Sequence, residues 1–464
     1  MTPTASDLWF LPLGGCGEIG MNMNLYGHDG QWLMVDCGVT FRDPDGTNAS
    51  GHGIQMADPG FAVERREALQ ALLLTHGHED HIGAVARLWP RLRCPVYANA
   101  FTAELLRRKL GEFGLETRLD LRLVAPGELT RHGAFEVEWV RNTHSIPDPC
   151  ALAIRTAAGT VFHTGDWKLD PDPVVGHGYD RAAYERIGAA GVDAMVCDST
   201  SADREGHSLS EAELLPGLRH HVASAPGRVV VACFGSNIAR LQTLATVAHE
   251  TGRHIGLLGR SLIATANAAR AVGLWTERET LVESEHLGYL PRETLLLVAT
   301  GSQGEPRAAL SRLSRGAFSS LSLERGDRVI FSARAIPGNE PGIEAMIARL
   351  VSMGVDVVRP ETTDRPIHAS GHPRVEELKA LYGWIRPRVL VPVHGESTHL
   401  DAQCDIAREA GVPEQLTGRN GDLFALAPRP GVRRAAVPAG RLGVGPKNLE
   451  KMADKYVVRS EPAG

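Results

Sequence analysis

Short apolar runs separated by turn residues predict that the first part of the chain is built mainly from β-strands. The predicted strands in this part are Leu8–Leu13, Met23–Tyr26, Trp32–Asp36, Ala71–Leu74, Val96–Ala98, Phe135–Arg141 and Val161–His163. Several of these runs are apolar at every position, which is the pattern of a strand buried on both faces.

The pattern changes after residue 205, where apolar strands begin to alternate with helical periodicity. The predicted strands are Arg228–Phe234, His254–Leu258, Thr294–Ala299, Val329–Ser332 and Asp356–Val358. The predicted helices between them are Ile238–Glu250, Leu262–Val272 and Glu340–Met353. This alternation indicates a parallel, doubly wound α/β sheet.

A helix at Pro373–Trp384 and a strand at Val389–Val393 return the chain to the style of its first part. We therefore predict one domain, formed by residues 1–204 and 363–432, that is split in sequence by a second domain at 205–362. Residues 433–464 contain Pro, Gly and several basic side chains with weak periodicity, and they are predicted to be a linker or C-terminal arm.

Composition narrows the class of protein. The chain has 464 residues, of which 43% are hydrophobic and 22% charged, so two or three ordinary globular domains are expected. Its apolar runs are far shorter than the roughly 20 residues of a membrane span, so no membrane association is expected. Seven scattered cysteines without a C-x-x-C pair favour reduced thiols and a cytoplasmic location. With a net charge of −6, a nucleic-acid substrate would need a local basic groove.

The strongest chemical feature is the heptapeptide Thr75-His76-Gly77-His78-Glu79-Asp80-His81, which directly follows the apolar run Ala71–Leu74. Imidazoles and carboxylates are the preferred ligands of zinc and similar metals. The loop holds three histidines and an aspartate, more than one open tetrahedral site needs from a single loop. It therefore predicts a metal centre with two ions.

Three further candidate ligands follow predicted strands. His144 follows Phe135–Arg141, Asp166 follows Val161–His163, and His394 follows Val389–Val393. Loops at strand ends can meet at one rim of a sheet, so distant segments can form one site. His163 also ends a strand and is interpreted as structural.

Gly15-Cys16-Gly17-Glu18-Ile19-Gly20 matches the dinucleotide-binding pattern G-x-G-x-x-G and follows a predicted strand. That fingerprint requires a helix directly after the glycines, to receive the pyrophosphate at its N-terminus. Here the following residues predict another strand, Met23–Tyr26, so a nicotinamide site is rejected in favour of a tight glycine loop beside the metal cleft.

The order of these motifs resembles the metallo-β-lactamase-fold hydrolases. Asp198-Ser199-Thr200, Gly301-Ser302-Gln303-Gly304-Glu305, Ser370-Gly371-His372 and Pro392-Val393-His394-Gly395-Glu396 are similar to motifs of the β-CASP nuclease branch, and among these to the ribonuclease J family. The resemblance implies an α/β fold: a discontinuous metallo-β-lactamase αββα sandwich with an inserted, doubly wound β-CASP domain. It runs from about Leu8 to Leu426 and implies that the usual small C-terminal domain is absent.

The resemblance also implies the metal ligands. His76, His78 and His144 would hold one zinc, and Asp80, His81 and His394 would hold the second. Asp166 would bridge the two ions, and Asp36 would orient the ligand loop from behind. Manganese or magnesium stays open as an alternative to zinc, because the same ligand types accept them.

Substrate-binding and catalytic residues are implied in the same way. His372 is expected to act as general acid or phosphate ligand, assisted by His368 and Asp198. Ser236, Ser370 and Gly371 are expected to form a pocket for the terminal phosphate of the substrate. For Ser236, a plain helix N-cap is the alternative interpretation.

The expected function is a cytoplasmic two-zinc ribonuclease that cleaves RNA endonucleolytically and in the 5′-to-3′ exonucleolytic mode. The expected partners are RNA, a second copy in a homodimer or homotetramer, and RNA-degradation machinery. The main alternative is a hydrolase of small esters, thioesters or lactams on the same metal fold. A non-catalytic RNA-binding subunit is a weaker alternative, because all expected ligands are present.

Overall fold

The computed structural model describes residues 1–41, 53–275, 281–318, 321–336, 338–445 and 448–452. Its strands are β1 (Leu8–Gly14), β2 (Met23–His28), β3 (Gln31–Val35), β4 (Val39–Thr40), β5 (Gln55–Ala57), β6 (Leu69–Leu74), β7 (Val96–Ala98), β8 (Leu121–Leu123), β9 (Leu129–His132), β10 (Phe135–Arg141), β11 (Cys150–Thr156), β12 (Gly159–His163), β13 (Ala194–Asp198), β14 (Val229–Ala232), β15 (His254–Leu258), β16 (Leu295–Ala299), β17 (Arg328–Phe331), β18 (Asp356–Val358), β19 (Val389–Val393), β20 (Glu414–Gln415), β21 (Leu423–Ala427), β22 (Gly431–Arg433), β23 (Arg441–Val444) and β24 (Leu449–Lys451).

Its α-helices are α1 (Gly60–Val63), α2 (Glu79–Ile82), α3 (Val85–Leu92), α4 (Ala100–Glu112), α5 (Arg181–Ala190), α6 (Leu215–Ala223), α7 (Ile238–Glu250), α8 (Arg260–Ala271), α9 (Ala309–Leu313), α10 (Glu340–Ser352), α11 (Val375–Ile385) and α12 (Ser397–Glu409). In the described part of the chain, no helix is long and apolar enough to cross a membrane. All seven cysteines are buried and form no disulfide.

Two mixed sheets pack face to face and form the body of the fold. One has the strand order β22-β21-β1-β2-β3-β6-β7-β8, and the other β20-β19-β13-β12-β11-β10-β9. The core between them contains Phe10 and Leu73 from the first sheet and Trp139 and Val391 from the second. Helices α3 and α4 cover the outer face of the first sheet, and α5, α11 and α12 cover that of the second. The predicted αββα sandwich is therefore confirmed.

Strand β6 shows why this architecture needs an uninterrupted apolar run just before the ligand loop. Successive residues of a strand point to opposite faces of the sheet. Ala71 and Leu73 pack between the two sheets, whereas Leu72 and Leu74 pack against the outer helices. Both faces of β6 are buried, so the loop that follows the strand begins at a tightly packed position.

The third sheet is five-stranded, with the order β15-β16-β14-β17-β18, and all its neighbouring strands run parallel. Helices α6, α7 and α8 pack on one face and α9 and α10 on the other. This confirms the predicted doubly wound inserted domain. The insertion lies between β13 and β19, which are hydrogen-bonded neighbours in the sandwich. The domain limits at 204 and 362 stay predictions.

The predicted linker at 433–464 is wrong for part of its length. Strands β23 and β24 pair with each other, and β23 also pairs with β5, in a four-stranded sheet with the order β24-β23-β5-β4. Leu442 and Met452 are buried there. Such strands are too short to show clear periodicity, and their pairing partner lies almost 400 residues earlier, as the Arg441–Ala57 register shows. Residues 446–447 and 453–464 of the predicted arm lie outside the described residues.

Candidate metal centre

The predicted ligands lie at the C-terminal ends of strands from both sheets. β6 leads into His76, β10 into His144, β12 into Asp166 and β19 into His394. In the seven-stranded sheet, β12, β13 and β19 are parallel, and β11 runs antiparallel to both β10 and β12. The C-terminal ends of β10, β12, β13 and β19 therefore open at the same edge of this sheet.

His76, His78, His144 and Asp166 form a first group with one ligand atom each within 4.8 Å of the others. His78 Nδ1 lies 3.1 Å from both His76 Nε2 and His144 Nε2. Asp166 Oδ2 lies 3.9 Å from His76 Nε2 and 3.8 Å from His144 Nε2. Ligands about 2.0–2.1 Å from a tetrahedral cation stand about 3.3 Å apart, so this donor set fits a zinc-sized ion.

Asp80, His81, Asp166 and His394 form a second group. His81 Nε2 lies 3.6 Å from Asp80 Oδ2 and 3.2 Å from Asp166 Oδ2, and His394 Nε2 lies 3.2 Å from Asp80 Oδ2. These distances again suit one small cation. Because Asp166 Oδ2 lies near His76 and His144 of the first group and near His81 of the second, Asp166 would be shared by two bound ions.

Asp36 holds the ligand loop from behind. Its carboxylate accepts hydrogen bonds from Thr75 N at 2.8 Å and Thr75 Oγ1 at 2.9 Å, and it lies 2.7 Å from His81 Nδ1. A proton on Nδ1 leaves Nε2 of His81 as the free ligand atom. Asp36 itself has a φ of +62°, in the left-handed region that few residues other than glycine adopt. The residue therefore lies where its predicted orienting role requires.

His144 and His394 are oriented by partners that the sequence did not reveal. His144 Nδ1 donates to the carbonyl of Gly371, and a Cβ at Gly371 would lie 2.6 Å from the His144 ring. Gly371 was expected to bind substrate, and in the structure its carbonyl orients His144, a candidate metal ligand. His394 Nδ1 lies 2.9 Å from Thr200 Oγ1, and the His394 N–H donates to Gly15 O at 2.6 Å. The glycine loop thus supports the second ligand group.

Asn22 is another residue that sequence reasoning missed. Its Nδ2 lies 3.1 Å from His81 Nε2 and donates to Asp80 O at 3.2 Å. The only sequence clue is a polar residue beside the start of an apolar strand, which is too weak to indicate a site. His163, interpreted as structural, is buried with its Nδ1 2.9 Å from Tyr26 Oη.

His372 and Asp198 form a pair beside the ligands. His372 Nδ1 lies 2.7 Å from Asp198 Oδ2, and the His372 ring centroid lies 4.9 Å from that of His144. The His372 side chain is 21% exposed, whereas Asp198 is buried. Burial lowers the pKa of His372, but the Asp198 carboxylate outweighs burial, so the pKa lies above its ordinary value. These two residues with Asp166 and His394 make a third group that has metal-ligand chemistry.

The other predicted substrate residues, Ser236, His368 and Ser370, belong to none of the ligand groups. Ser370 Oγ accepts from the His372 N–H at 3.2 Å. His368 is close to Arg240, and burial followed by the charge of Arg240 lowers its pKa well below the ordinary value. For Ser236 the N-cap alternative is wrong, because the next residue, Asn237, caps α7 by accepting from Arg240 N at 2.8 Å.

The two ligand groups differ in electrostatics. Burial, reinforced by neighbouring histidines, lowers the pKa of His76 and His144, and burial also lowers the pKa of His78 to about 4. Burial acts in the same direction on His81 and His394, but the adjacent carboxylates of Asp166 and Asp80 dominate. They raise the pKa of His81 well above its ordinary value and that of His394 to about 10. Without metal, the second group therefore holds protons at neutral pH and the first does not.

This difference between the two groups predicts that the binding of only one of the two ions depends strongly on pH. A cation must displace protons from His81 and His394, so the affinity of the second group should rise with pH until about pH 10. The first group should bind with little pH dependence above about pH 4. Calorimetric titration of metal-free protein, in buffers of different ionisation enthalpy, measures the protons released for each ion. His394→Ala should lower the count for the second ion, and equal release by both ions would contradict the assignment.

Comparison with known protein families gives the same picture. Residues 17–189 match the metallo-beta-lactamase superfamily, residues 226–350 match the model described as Ribonuclease J, beta-CASP domain, and residues 364–414 match the Zn-dependent metallo-hydrolase RNA specificity domain. A crystal structure of a protein of unknown function from Enterococcus faecalis V583 superposes with a TM-score of 0.61 at 18% identity. The superposition covers 90% of this chain and 100% of the Enterococcus faecalis protein, and at this identity it supports a shared fold alone.

Curated relatives extend over most of the chain. Ribonuclease J of Sinorhizobium meliloti is 42% identical over 440 residues, which are 94% of this chain and 77% of the relative. Ribonuclease J of Thermus thermophilus is 36% identical, over 97% of this chain and 80% of the relative. At this identity and coverage the relationship is one of family and not of fold alone. The chain, in which a metallo-β-lactamase domain carries an inserted β-CASP domain, belongs to the ribonuclease J family.

Proposed function

We propose that the protein is a metal-dependent ribonuclease that holds two zinc ions and hydrolyses RNA phosphodiesters to leave a 5′-phosphate. Cleavage is both endonucleolytic and 5′-to-3′ exonucleolytic, and serves RNA maturation and turnover. One observation carries the proposal: two ligand groups share Asp166, and the His372–Asp198 pair lies beside them. The match to an RNA specificity domain and the names of the relatives support RNA as the substrate.

The ligand set suits an anionic substrate. When bound, two divalent cations would supply a water nucleophile of lowered pKa and positive charge for the phosphoryl oxygens. Asp80 and Asp166 contribute two negative charges and the histidines contribute none when neutral, so the ligands leave a net positive centre. A phosphodiester is attracted to such a centre, whereas a neutral lactam gains much less from it.

His372 is placed to handle the proton that the leaving group needs. Asp198 accepts from Nδ1 and keeps the imidazole in a fixed orientation, so Nε2 is the atom that can give a proton to the departing 3′ oxygen. Thr200 donates from both its N–H and Oγ1 to Asp198 Oδ1, at 2.9 and 2.8 Å, and fixes that carboxylate in turn.

Three arginines lie near the loop that carries His372, and we propose that they supply the local positive charge that RNA binding requires in a chain of net charge −6. Burial, followed by the charge of Arg334, lowers the pKa of Arg374. Arg204 is also close, since its carbonyl accepts from Val375 N at 3.1 Å. In the described part of the chain, the guanidinium groups of Arg334 and Arg374 form no ion pair with a carboxylate. We propose that they contact the RNA backbone.

The proposed function is tested by offering purified, metal-loaded protein three substrates: labelled RNA, a chromogenic lactam and a thioester. RNA cleavage to fragments with 5′-phosphate ends, with no turnover of the other two, is the expected result. Turnover of the lactam or the thioester without RNA cleavage would replace this proposal with the small-molecule hydrolase.

A terminal-phosphate pocket predicts a preference for the 5′ end of the RNA. We expect the wild-type exonuclease to degrade a 5′-monophosphate RNA faster than the same RNA with a 5′-triphosphate, because a pocket fits one phosphate. In the Ser236→Ala variant, the ratio of the two degradation rates should fall about tenfold, which is the effect of losing one hydrogen bond to a charged group. Ser352→Ala, at the exposed end of α10, is the matched control. An unchanged ratio in Ser236→Ala would remove Ser236 from the pocket.

Several finer expectations belong to the same proposal. The cytoplasm is the proposed location, and a homodimer or homotetramer is the proposed assembly. Association with RNA-degradation machinery is proposed as well. The identity of the ions as zinc is supported by the histidine-rich donor sets, which manganese and magnesium favour less.

A further inference from the structure

Glu377 carries a fully buried carboxylate in the first turn of α11, outside every ligand group of the metal centre. Its Oε1 accepts from Leu169 N at 2.8 Å and Ser208 Oγ at 2.7 Å. Its Oε2 accepts from Ser208 N at 2.8 Å and Arg374 N at 2.9 Å. Among the described residues no lysine or arginine forms an ion pair with it. Four hydrogen-bond donors from three separate segments therefore stabilise the buried Glu377 carboxylate.

The first of these segments belongs to the rigid frame of the metal ligands. Lys168 N donates to Thr143 O at 2.8 Å, and Thr143 Oγ1 donates to Lys168 O at 2.7 Å. Asp170 N donates to the same Thr143 Oγ1 at 3.0 Å. Thr143 directly precedes His144, and Leu169 follows Asp166 by three residues. These hydrogen bonds fix the position of Leu169 N relative to His144, which follows β10, and Asp166, which follows β12.

The second segment is the connection into the inserted domain. Ser210 Oγ and Glu211 N donate to the two oxygens of Asp170, at 2.7 and 3.0 Å. Asp170 also forms a fully buried ion pair with Lys168 at 2.8 Å. This segment is therefore fastened at two points: Asp170 of the ligand frame binds Ser210 and Glu211, and Glu377 binds Ser208.

The third segment is the loop that carries His372. Its Gly371 carbonyl accepts from His144 Nδ1, and its Arg374 N–H donates to Glu377. These two attachments lie on either side of His372 in the chain. Glu377 thus adds an attachment on the C-terminal side of His372, where Val375 N also donates to Arg204 O at 3.1 Å. Losing the Glu377 attachment would weaken the hold on this side of the loop and leave the partners of the ligand groups in place.

We propose that Glu377 is a positioning residue that holds His372 in place beside the metal centre. The proposal rests on the proposed function, in which His372 gives a proton to the leaving 3′ oxygen. A carboxylate is required because each of its oxygens accepts two hydrogen bonds. A glutamine has one amide nitrogen in place of an oxygen, so two of the four donors would face another donor and the loop would shift.

The test compares Glu377→Gln with Glu376→Gln, since Glu376 is the exposed neighbour on α11 and its carboxylate pairs with Lys379 at 3.7 Å. Two RNAs of one sequence are used, one normal and one with a single 3′-S-phosphorothiolate linkage at the cleavage site. The thiolate leaves without receiving a proton, so its cleavage does not need His372. We expect Glu377→Gln to lower kcat on normal RNA about tenfold to a hundredfold, as for a catalytic group misplaced by about 1 Å. KM and cleavage of the thiolate substrate should stay within about threefold, and Glu376→Gln should match wild type on both substrates.

The outcomes separate this proposal from the proposed function. If wild type cleaves normal RNA and Glu377→Gln cleaves it equally well, the positioning role is wrong. A parallel loss on both substrates would also overturn it, because that result indicates general damage to the metal centre. Wild-type protein that cleaves neither RNA would overturn the proposed function instead. Should Glu377→Gln not fold, Ser208→Ala removes one of the four bonds, and the same selective loss is expected at smaller size.

Discussion

Replacing Asp166 with alanine is expected to lower RNA cleavage by about a thousandfold or more. Its Oδ2 faces His81 in the second ligand group, and His76 and His144 in the first. Loss of this one carboxylate removes a ligand from both ions at once, and metal ions contribute several kcal/mol to such reactions. About 4 kcal/mol corresponds to roughly a thousandfold in rate. Cleavage rates and metal content by mass spectrometry measure the effect, and the variant should retain fewer than two ions.

Asp172→Ala is the matched control, because Asp172 lies exposed in the same loop six residues further on. It should keep wild-type activity and metal content. Circular dichroism of both variants shows whether folding is preserved. If Asp166→Ala retained two ions and wild-type cleavage, Asp166 would not be a shared ligand.

Replacing His372 with alanine is expected to lower kcat on RNA by about a hundredfold to ten-thousandfold, the usual contribution of a general acid. Metal content should be unchanged, because the first two ligand groups are complete without it. Cleavage of RNA with a 3′-S-phosphorothiolate linkage should stay close to wild type, since its leaving group needs no proton. His207→Ala, an exposed histidine in the connection to the inserted domain, is the control.

The third group, Asp166, Asp198, His372 and His394, offers a distinct alternative for His372. If His372→Ala lost one ion, or lost activity equally on both substrates, His372 would be a metal ligand and not the proton donor. Metal analysis and the two RNA substrates therefore decide the role of this residue together.

The sequence was sufficient to locate strands where an apolar or alternating run is clearly set off from its flanking residues. Phe135–Arg141, His254–Leu258 and Val389–Val393 have the predicted bounds. Strand β11 (Cys150–Thr156) was missed, although it is central in its sheet. Its sequence, CALAIRT, contains two alanines, which are depleted in strands, so the run does not stand out as a strand. Its pairing with β10 and β12 determines its conformation.

The clustering of the candidate ligand side chains was predictable because they crowd one loop or follow predicted strands. Their orienting partners were not. Gly371 and His144 are 227 residues apart, Thr200 and His394 are 194 apart, and Glu377 and Leu169 are 208 apart. Nothing local in the sequence marks such pairs, because only the packing of the two sheets brings them together.

The most direct test of the two-ion centre is metal analysis of purified protein followed by removal and stepwise return of divalent ions. Two ions per chain and no cleavage after removal are the expected results. RNA cleavage should return only as the second ion binds, and the same titration of Asp166→Ala should restore nothing. Protein that purifies without divalent ions and cleaves RNA at an undiminished rate in chelator would contradict the account.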